Sequence, residues 1–500
     1  MHKTAITCVS LLTESFTVTA GGGFVETQCN RQKLLFEAHG RREVSAAFDG
    51  GRITSDAGGL LLREVEERFG ILRSFGEAFT DYRSPDAIEF TVEELLRQRV
   101  MGIALGYEDL NDHEQLRHDP LLALMAGRSD ITGQDRLDER STGVPLAGKS
   151  TLNRLELTPA GAGEHSRYKK IVASVAKLQE TLVDTFIRMR SKQGVPQELV
   201  LDLDATDDPV HGDQLGKFFH GYYKSYCYLP LYTFCDAWPL GAVLRPSNID
   251  GCAGTVQELE RIVPKLRAAW PQVKIIIRAD SGFCRDEILR WCEAHNVGYI
   301  IGLAKNKRLN RAIGSELRQA LELFEETGVA ARVFKDFTYR TKKSWSCERR
   351  VIGKAEHLSK GANPRFVVTS LSKERTDART LYEDRYCARG EMENRIKEQQ
   401  LYLFADRTST HAMRSNQLRL LFSTMAYLLH LGLREFGLAG TEMEKAQAGT
   451  IRSKLLKIGG RITVSVRRIC IALSESYPYQ RLFERILENI RRQQPAPLQT

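Results

Sequence analysis

The chain has 500 residues, of which 42% are hydrophobic and 27% charged, and its formal net charge is +9. The apolar content is enough to bury a sizeable core, and the length exceeds that of one ordinary domain. The basic surplus fits a polyanionic partner such as nucleic acid; a protein that is basic for no such reason is the alternative.

The ten cysteines are scattered, without a C-x-x-C pair. This spacing argues against a zinc module and a disulfide framework, and it favours a reducing compartment, the cytoplasm. No stretch is long and apolar enough to cross a membrane, and the first residues lack a clear signal-peptide pattern, so we expect no membrane partner.

Residues 1–45 show no sustained period and are rich in Thr and Gly, which predicts a loosely ordered leader. Residues 46–195 predict a helical module, because apolar residues recur at helical spacing in GGLLLREVEERFG, TVEELLRQRVMGIALG, HEQLRHDPLLALMAG and YKKIVASVAKLQETLVDTFIRMR. Thr91 and Glu94 predict a capping box. The module is expected to end near Gly194-Val195-Pro196.

Residues 196–325 change to an alternation of strands and helices. ELVLDLDAT predicts a strand, YCYLPLYTFCDAWPLGAVLRP two antiparallel strands, and VKIIIRADSGF and VGYIIGLAKN two buried strands that follow helices. Three strands, a helix, a strand, a helix and a strand is the order of the ribonuclease H-like fold. The predicted class is therefore α/β, with parallel pairing of the helix-joined strands.

Three segments follow this core. Residues 326–375 predict a β-strand insertion, and residues 376–440 return to helix and complete the core. Residues 441–500 predict a basic helical tail, because 451–492 carry ten Arg or Lys against three Glu, with apolar residues interleaved. This tail and the helical module of residues 46–195 are expected to bind DNA, because their Lys and Arg are not needed for the sheet.

Two acidic residues lie where predicted strands end. Asp204 belongs to LDLDATDDP, and Asp280 follows the buried run in IIIRADSGF. Ligands gather at the carboxyl ends of such strands, and phosphoryl transfer with two Mg²⁺ ions needs converging carboxylates from distant elements. Asp202 shares a face with Asp204, and Asp207 and Asp208 follow; a calcium loop fails because no Gly and distal Glu stand at the required offsets.

A third carboxylate is expected from a helix that lies on the sheet. Tyr386, Arg389, Glu393, Lys397 and Gln400 are spaced by three, four, four and three residues, which places them on one helix face. Glu391 faces elsewhere. Taken alone, such a stripe is more often a solvated charged face.

Together these motifs resemble the bacterial insertion-sequence transposases with a DDE triad. The similarity is carried by Asp-x-Thr at Asp204, by RADSGF, and by Tyr-x-x-Arg-x-x-x-Glu from Tyr386 to Glu393. It covers roughly residues 45–440 and lies closest to the IS-thirteen-eighty group, allied to the IS-four group, through FDGGRITSDAGGLLLRE, DATDDPVHG and ENRIKEQQ. Gln400 stands where this branch has a Lys; Lys397, one turn earlier, is the expected substitute.

The resemblance implies a function and a set of roles. Asp204, Asp280 and Glu393 would hold two Mg²⁺ ions, with Mn²⁺ as a substitute, for phosphodiester hydrolysis and strand transfer at the ends of an insertion sequence. The partners would be DNA, as terminal inverted repeats and target, and a second copy of the chain; the setting would be the bacterial nucleoid.

Four residues are implied to contact DNA. Tyr386 and Arg389 would bind phosphate near the cut, Arg389 as a bidentate fork, and Lys397 would supply a further cation. Trp345, in the basic stretch TKKSWSCERR, would stack a flipped base. The favoured alternative for Trp345 is packing in the insertion's own core.

Two other functions stay open. A catalytically inactive DNA-binding relative would keep the fold without its chemistry. A phosphate-loop ATPase acting on DNA is suggested by the spelling of residues 143–150, GVPLAGKS. That motif needs a buried strand before it and a helix after it; the preceding DITGQDRLDERST is polar and Pro159 follows closely, which disfavours it.

Overall fold

A computed structural model describes residues 33–494. Its strands, in chain order, are β1 (Leu34–His39), β2 (Arg42–Ala46), β3 (Arg52–Thr54), β4 (Phe79–Asp81), β5 (Ile171–Ala173), β6 (Glu198–Ala205), β7 (Asp208–Pro209), β8 (Phe218–His220), β9 (Ser225–Tyr228), β10 (Leu231–Cys235), β11 (Trp238–Val243), β12 (Lys274–Ala279), β13 (Gly298–Leu303), β14 (Ala331–Tyr339), β15 (Arg349–Leu358), β16 (Gly361–Ala362), β17 (Arg365–Thr369), β18 (Gly460–Val464) and β19 (Ile469–Leu473).

The helices alternate with these strands. They are α1 (Leu60–Phe69), α2 (Ile71–Gly76), α3 (Val92–Leu105), α4 (His113–Leu116), α5 (Pro120–Ala126), α6 (Lys149–Glu156), α7 (Val175–Ser191), α8 (Thr255–Ala269), α9 (Asp286–Ala294), α10 (Lys307–Ala312), α11 (Gly314–Thr327), α12 (Ala378–Thr380), α13 (Gly390–Leu403), α14 (Met413–Gly432), α15 (Ala448–Ile451) and α16 (Gln480–Arg492). Within residues 33–494, no helix is long and apolar enough to cross a membrane.

The chain divides into two compact units, Met1–Gly51 and Arg52–Thr500. In the first unit, β1 and β2 form an antiparallel hairpin whose turn contains Gly40 at φ 65°. The sequence predicted a loosely ordered leader over residues 1–45. In the described part of this segment the structure has the hairpin, where Phe36 stands opposite Val44 as an apolar cross-strand pair. The rest of the predicted leader, residues 1–32, lies outside the described residues.

The second unit is built on one large mixed sheet, with strand order β11-β10-β6-β12-β13-β17-β15-β14, and β16 paired to β15. Strands β6, β12 and β13 run parallel, as predicted, because α8 and α9 carry the chain back between them. The predicted insertion does not form a sheet of its own: β17 pairs with β13, so its strands extend the central sheet.

Helices cover this sheet and close its β11 edge. The side-chain amide of Gln179, from α7, pairs with both backbone groups of Ala242 at 2.6 and 3.2 Å. Gln417, from the almost wholly buried α14, donates to the Ala242 carbonyl and accepts from the Leu244 N–H. The unpaired groups of the edge strand are thus satisfied by two buried amides, which prevents pairing with another chain there.

The helical region that precedes the sheet agrees with its sequence pattern in most places. Thr91 and Glu94 form the capping box of α3. Residues 113–126 split into α4 and α5, because Asp119 caps a new helix that begins at Pro120. The helix predicted from residue 168 begins only at Val175, since β5 pairs with β4 first.

The segment predicted to be a helical tail contains a hairpin. The β-branched runs of β18 and β19 pair with each other, and β18 also pairs with β3, Gly460 standing opposite Thr54. Helix α16 then packs on α1, where Arg491 forms a salt bridge with Glu64 at 3.3 Å. The described cysteines are all free.

Candidate active site

The first two predicted carboxylates lie on neighbouring strands. In the parallel pair of β6 and β12, Arg278 stands opposite Asp202 and Ala279 opposite Leu203. The same register, continued by one residue, brings Asp280 level with Asp204. Side chains two residues apart on a strand share a face, so both carboxylates lie on the face that carries Asp202 and Arg278.

A buried ion pair fixes this register. The Arg278 guanidinium donates to both oxygens of Asp202, at 2.6 and 2.7 Å, and neither residue is more than 9% exposed. The same guanidinium donates to the backbone carbonyl of Arg385 at 2.5 Å. Arg278 therefore ties together β6, β12 and the segment that leads to Glu393.

That leading segment lies on the same sheet face. Leu381 and Tyr382 are buried against Ile276 of β12 and Ile300 of β13. Residues 381–386 form the wide turns of a π-helix and pass through one tight turn into α13. A π segment of this kind frequently adjoins a functional site, because it shifts the helix face by part of a turn.

Asp280 is shaped by the turn that follows it. One of its carboxylate oxygens accepts from the Gly282 N–H at 2.8 Å and caps the turn Ser281–Phe283. A Cβ at Gly282 would lie 3.0 Å from that oxygen, so the Asp-Ser-Gly sequence suits this tight approach. The second oxygen of Asp280 remains available to a ligand.

Glu393 joins the two aspartates through Arg389. Arg389, the residue before α13, lies one turn before Glu393 and donates to its carboxylate at 2.5 Å. The other end of the guanidinium lies 3.8 Å from an Asp204 oxygen. Burial alone would lower the pKa of Arg389, but the charges of Asp204 and Glu393 raise it above its ordinary value. Arg389 therefore stands as a cation between two of the three carboxylates.

The pKa of Asp204 reflects the negative charge of the three carboxylates. Burial raises the pKa of Asp204 to about 6; Arg389 opposes the rise, and the charges of Asp280 and Glu393 add to it. The carboxylate accepts one hydrogen bond from the Ala205 N–H, at 3.1 Å. One guanidinium does not offset three carboxylates, and such a group favours a further cation.

The chemistry of these donors suits a divalent metal, although their present placement does not enclose one. Within residues 33–494, no three His, Cys, Asp or Glu side chains stand close enough to hold a metal ion. Arg389 occupies the space between Asp204 and Glu393. Carboxylate oxygens are the hard ligands that Mg²⁺ prefers, so the donor set fits and Arg389 takes the cation's place.

Tyr386 closes one side of the site. Its hydroxyl lies against Gly302, where a Cβ would stand 2.6 Å from the hydroxyl and 2.8 Å from the Ser281 nitrogen. Lys305 and Arg365 line the small cavity beside it. Burial raises the pKa of Tyr386, so its hydroxyl is a neutral donor near Asp280.

The two remaining residues of the predicted helix face, Lys397 and Gln400, have different surroundings. Lys397 is exposed and makes no ion pair with any described residue, Glu393 included. The Gln400 side-chain amide donates to the Asp207 carbonyl at 3.2 Å. Glu391 is 70% exposed and pairs with Arg395 at 3.7 Å, away from the three carboxylates.

Trp345 is buried in the loop that joins β14 to β15 of the predicted insertion. It is 4% exposed, packs edge-on to Tyr339 with ring centroids 5.9 Å apart, and lies under the Arg349 guanidinium. A nucleobase would reach this ring only after the packing opened. The stacking role of Trp345 stays a prediction.

Sequence reasoning missed Arg278 and Tyr223. Tyr223 donates its hydroxyl to the Ala205 carbonyl at 3.2 Å, beside Asp204. The density of aromatic residues in KFFHGYYKSYCY, more than a short buried strand needs, was the available signal. Asp208 is a structural member of the acidic run: burial raises its pKa well above the ordinary value, and it accepts from the Thr408 hydroxyl at 3.3 Å.

The phosphate-loop motif at residues 143–150 lacks both the preceding strand and the free helix N-terminus that phosphate binding requires. No strand lies between β4 and β5, a span that is described throughout. Gly148 precedes α6, and the Lys149 N–H donates to the Glu114 carboxylate at 2.8 Å. An acidic side chain thus already occupies the position where a phosphate would bind.

Comparison with known proteins adds one match. A family model described as transposase DDE domain, group 1, matches residues 36–495, which is most of the chain. No curated protein matches the chain.

Proposed function

The chain belongs to the DDE transposases of group 1, and we propose that it cuts DNA at the ends of an insertion sequence and joins those ends to a target. The observation that carries this proposal is that three carboxylates from distant parts of the sequence lie around one cation, Arg389, on one face of the sheet. By the register of β6 and β12, Asp204 and Asp280 lie side by side on neighbouring parallel strands. Arg389 forms ion pairs with both Asp204 and Glu393.

The topology supports a ribonuclease H-like core. Three antiparallel strands, β11, β10 and β6, are followed by the parallel strands β12 and β13, each reached through a helix. Asp204 then lies near the end of the first strand of this core, Asp280 lies directly after the fourth, and the third acid comes from a helix on the sheet. The similarity to the IS-thirteen-eighty group remains part of the proposal.

Asp204, Asp280 and Glu393 would hold the metal. When bound, two Mg²⁺ ions supply charge stabilisation for the attacking and leaving oxygens of an in-line displacement. For this, Asp204 must be ionised and Arg389 must leave the carboxylates. A released Arg389 can bind a DNA phosphate as a bidentate fork, and the Tyr386 hydroxyl can donate to a phosphate oxygen.

Other basic residues would supply general affinity for the duplex. Lys397 is exposed on the α13 face that bears Glu393, without an ion pair among the described residues. Lys149 and Arg154 line one open cavity with Lys169 and Arg419 in the helical region. Phosphate contacts of this kind make affinity fall steeply with salt. Two copies on two DNA ends complete the proposal.

Metal-dependent cleavage tests the proposal directly. The purified chain is incubated with a supercoiled plasmid that carries its coding segment with the native flanking DNA, in Mg²⁺ or Mn²⁺. Asp204→Asn, Asp280→Asn and Glu393→Gln should each abolish cleavage, since each removes a carboxylate on which the chemistry depends. Glu391→Gln, on the same helix but facing solvent, is the matched control and should cut normally.

Two results would overturn it. Cleavage that survives the three substitutions would assign the chemistry to another site or to a contaminant. DNA bound by the wild-type chain at the inverted ends, yet left uncut in either metal, would favour the inactive DNA-binding relative.

A further inference from the structure

A short hairpin beside the three carboxylates exposes several aromatic rings. It comprises residues 217–228, with β8, β9 and their four-residue turn, and is called the aromatic hairpin below. Its exposed aromatic side chains are Phe218 at 41%, Phe219 at 57%, Tyr222 at 84% and Tyr226 at 56%. Exposed large apolar side chains grouped in this way usually mark an interaction surface.

Strand pairing brings two of these rings, Phe219 and Tyr226, together on one face of the hairpin. Phe219 stands directly opposite Tyr226, and their rings meet edge-to-face with centroids 5.6 Å apart. Lys217, two residues before Phe219, places its ammonium 5.7 Å from the Tyr226 ring centroid. The face therefore combines flat rings with a cation.

The turn adds a ring at the tip. Tyr222 packs edge-on to Tyr223 at 5.0 Å, and Lys224 adopts φ 55° to close the turn, with its N–H donating to the His220 carbonyl. Lys224 is exposed and pairs with no carboxylate among the described residues. The hairpin itself contains no Asp or Glu. Its Lys217 already pairs with Asp213 at 3.3 Å, so Lys224 is the hairpin lysine that remains to meet a polyanion.

Tyr223 anchors the hairpin next to the carboxylates. Its hydroxyl donates to the carbonyl of Ala205, the residue after Asp204. Burial raises the pKa of Tyr223, and the charges of Asp207, Asp204 and Asp280 raise it further. A second contact holds β8: the Ser247 hydroxyl donates to the Phe218 carbonyl at 2.9 Å. The exposed rings thus lie at the margin of the candidate active site.

We propose that the aromatic hairpin binds unpaired nucleobases of the DNA next to the cut, stacking them on Phe219, Tyr226 and Tyr222. This proposal rests on the proposed function, because DNA is the substrate it needs. Ring stacking accepts any base, and Lys224 contacts the backbone. The role of base-stacking surface then belongs to this hairpin, where the rings are exposed, rather than to the buried Trp345.

Binding of oligonucleotides, measured without metal, tests the hairpin separately from cleavage. The probes are a fluorescein-labelled oligothymidylate of about 16 nucleotides and a fully paired duplex of the same length. Phe219→Ala, Tyr226→Ala and Tyr222→Ala should each weaken oligothymidylate binding about tenfold, with duplex affinity unchanged. Phe219→Tyr keeps a ring and should bind normally, whereas Phe219→Leu keeps only apolar bulk and should bind weakly.

The outcomes separate this proposal from the proposed function. Equal oligothymidylate affinity in the wild-type chain and a folded triple alanine variant would overturn it. The proposal would also be overturned if the triple variant bound oligothymidylate normally but no longer formed a dimer in sedimentation, since the rings would then contact a second copy of the chain. Loss of oligothymidylate binding in the folded triple variant, together with a wild-type chain that cuts no DNA in either metal, would support the hairpin's role and overturn only the proposed cleavage.

Discussion

Removing the charge of Arg389 should strengthen metal binding while it weakens DNA cleavage. Arg389→Gln keeps most of the side-chain length and removes the cation that stands between Asp204 and Glu393. The freed carboxylates then have no competitor for a divalent ion. In the cleavage reaction the same change removes a bidentate phosphate contact, so the two effects have opposite signs.

The structure sets the size of the effect. Two unit charges 3.8 Å apart, the separation of Arg389 and Asp204, interact by about 4 kcal/mol at an effective dielectric constant of 20. The site is open to solvent, since the side chain of Glu393, the other partner of Arg389, is 41% exposed. Solvent screening therefore reduces the net attraction between Arg389 and the carboxylates to on the order of 1 kcal/mol. Mn²⁺ should therefore bind Arg389→Gln about five- to tenfold more tightly than the wild-type chain.

Electron paramagnetic resonance of free Mn²⁺ measures this affinity without DNA and without turnover. Arg395→Gln is the matched control, because Arg395 lies on the same helix and pairs with Glu391 and Glu398 rather than with the three carboxylates. Glu393→Gln should bind Mn²⁺ more weakly than any of these. Unchanged or weaker Mn²⁺ affinity in Arg389→Gln would refute the view that Arg389 competes with the metal.

Three further changes test the surroundings of the site. Arg278→Met leaves Asp202 buried without a partner and should lower the free energy of unfolding in urea by about 3–5 kcal/mol, while Asp202→Leu in the same chain should restore most of it. Lys397→Ala should weaken DNA binding at low salt by less than about tenfold and leave Mn²⁺ affinity unchanged, because Lys397 makes no ion pair among the described residues. Gly302→Ala should abolish cleavage, since the added Cβ would displace the Tyr386 hydroxyl.

Each of these predictions has a result that contradicts it. An Arg278→Met chain as stable as the wild type would mean that the strand register does not depend on the ion pair. Full DNA affinity of Lys397→Ala at low salt would remove Lys397 from the phosphate contacts. Normal cleavage by Gly302→Ala would show that Tyr386 can shift without loss.

Local patterns were enough to predict the elements that carry the site. The apolar runs before Asp204 and Asp280 form β6 and β12, and the spacing from Tyr386 to Lys397 lies within one continuous helical segment. These predictions succeeded because period and strand ends are properties of a few consecutive residues. The roles of the site residues in catalysis and DNA binding stay predictions.

Long-range pairing was the part that the sequence concealed. Nothing within residues 326–375 indicates that β17 will pair with β13, and nothing near Gly460 indicates that its partner is Thr54. Arg389 was expected to face phosphate, and its ion pair with Asp204 depends on helix and strand meeting across the sheet. Such contacts are decided by tertiary packing, which period and propensity do not encode.

The pairing of β3 with β18 has a consequence for the timing of biosynthesis. About 400 residues separate Thr54 from its partner Gly460, and the sequence separation between α1 and α16, which packs on it, is larger still. At translation rates of about 5–20 residues per second, the interval between them is about 20–80 s. Throughout that interval the nascent chain has made β3 and α1 but not the strand and helix that cover them, so no fragment ending before residue 460 can complete this part of the fold.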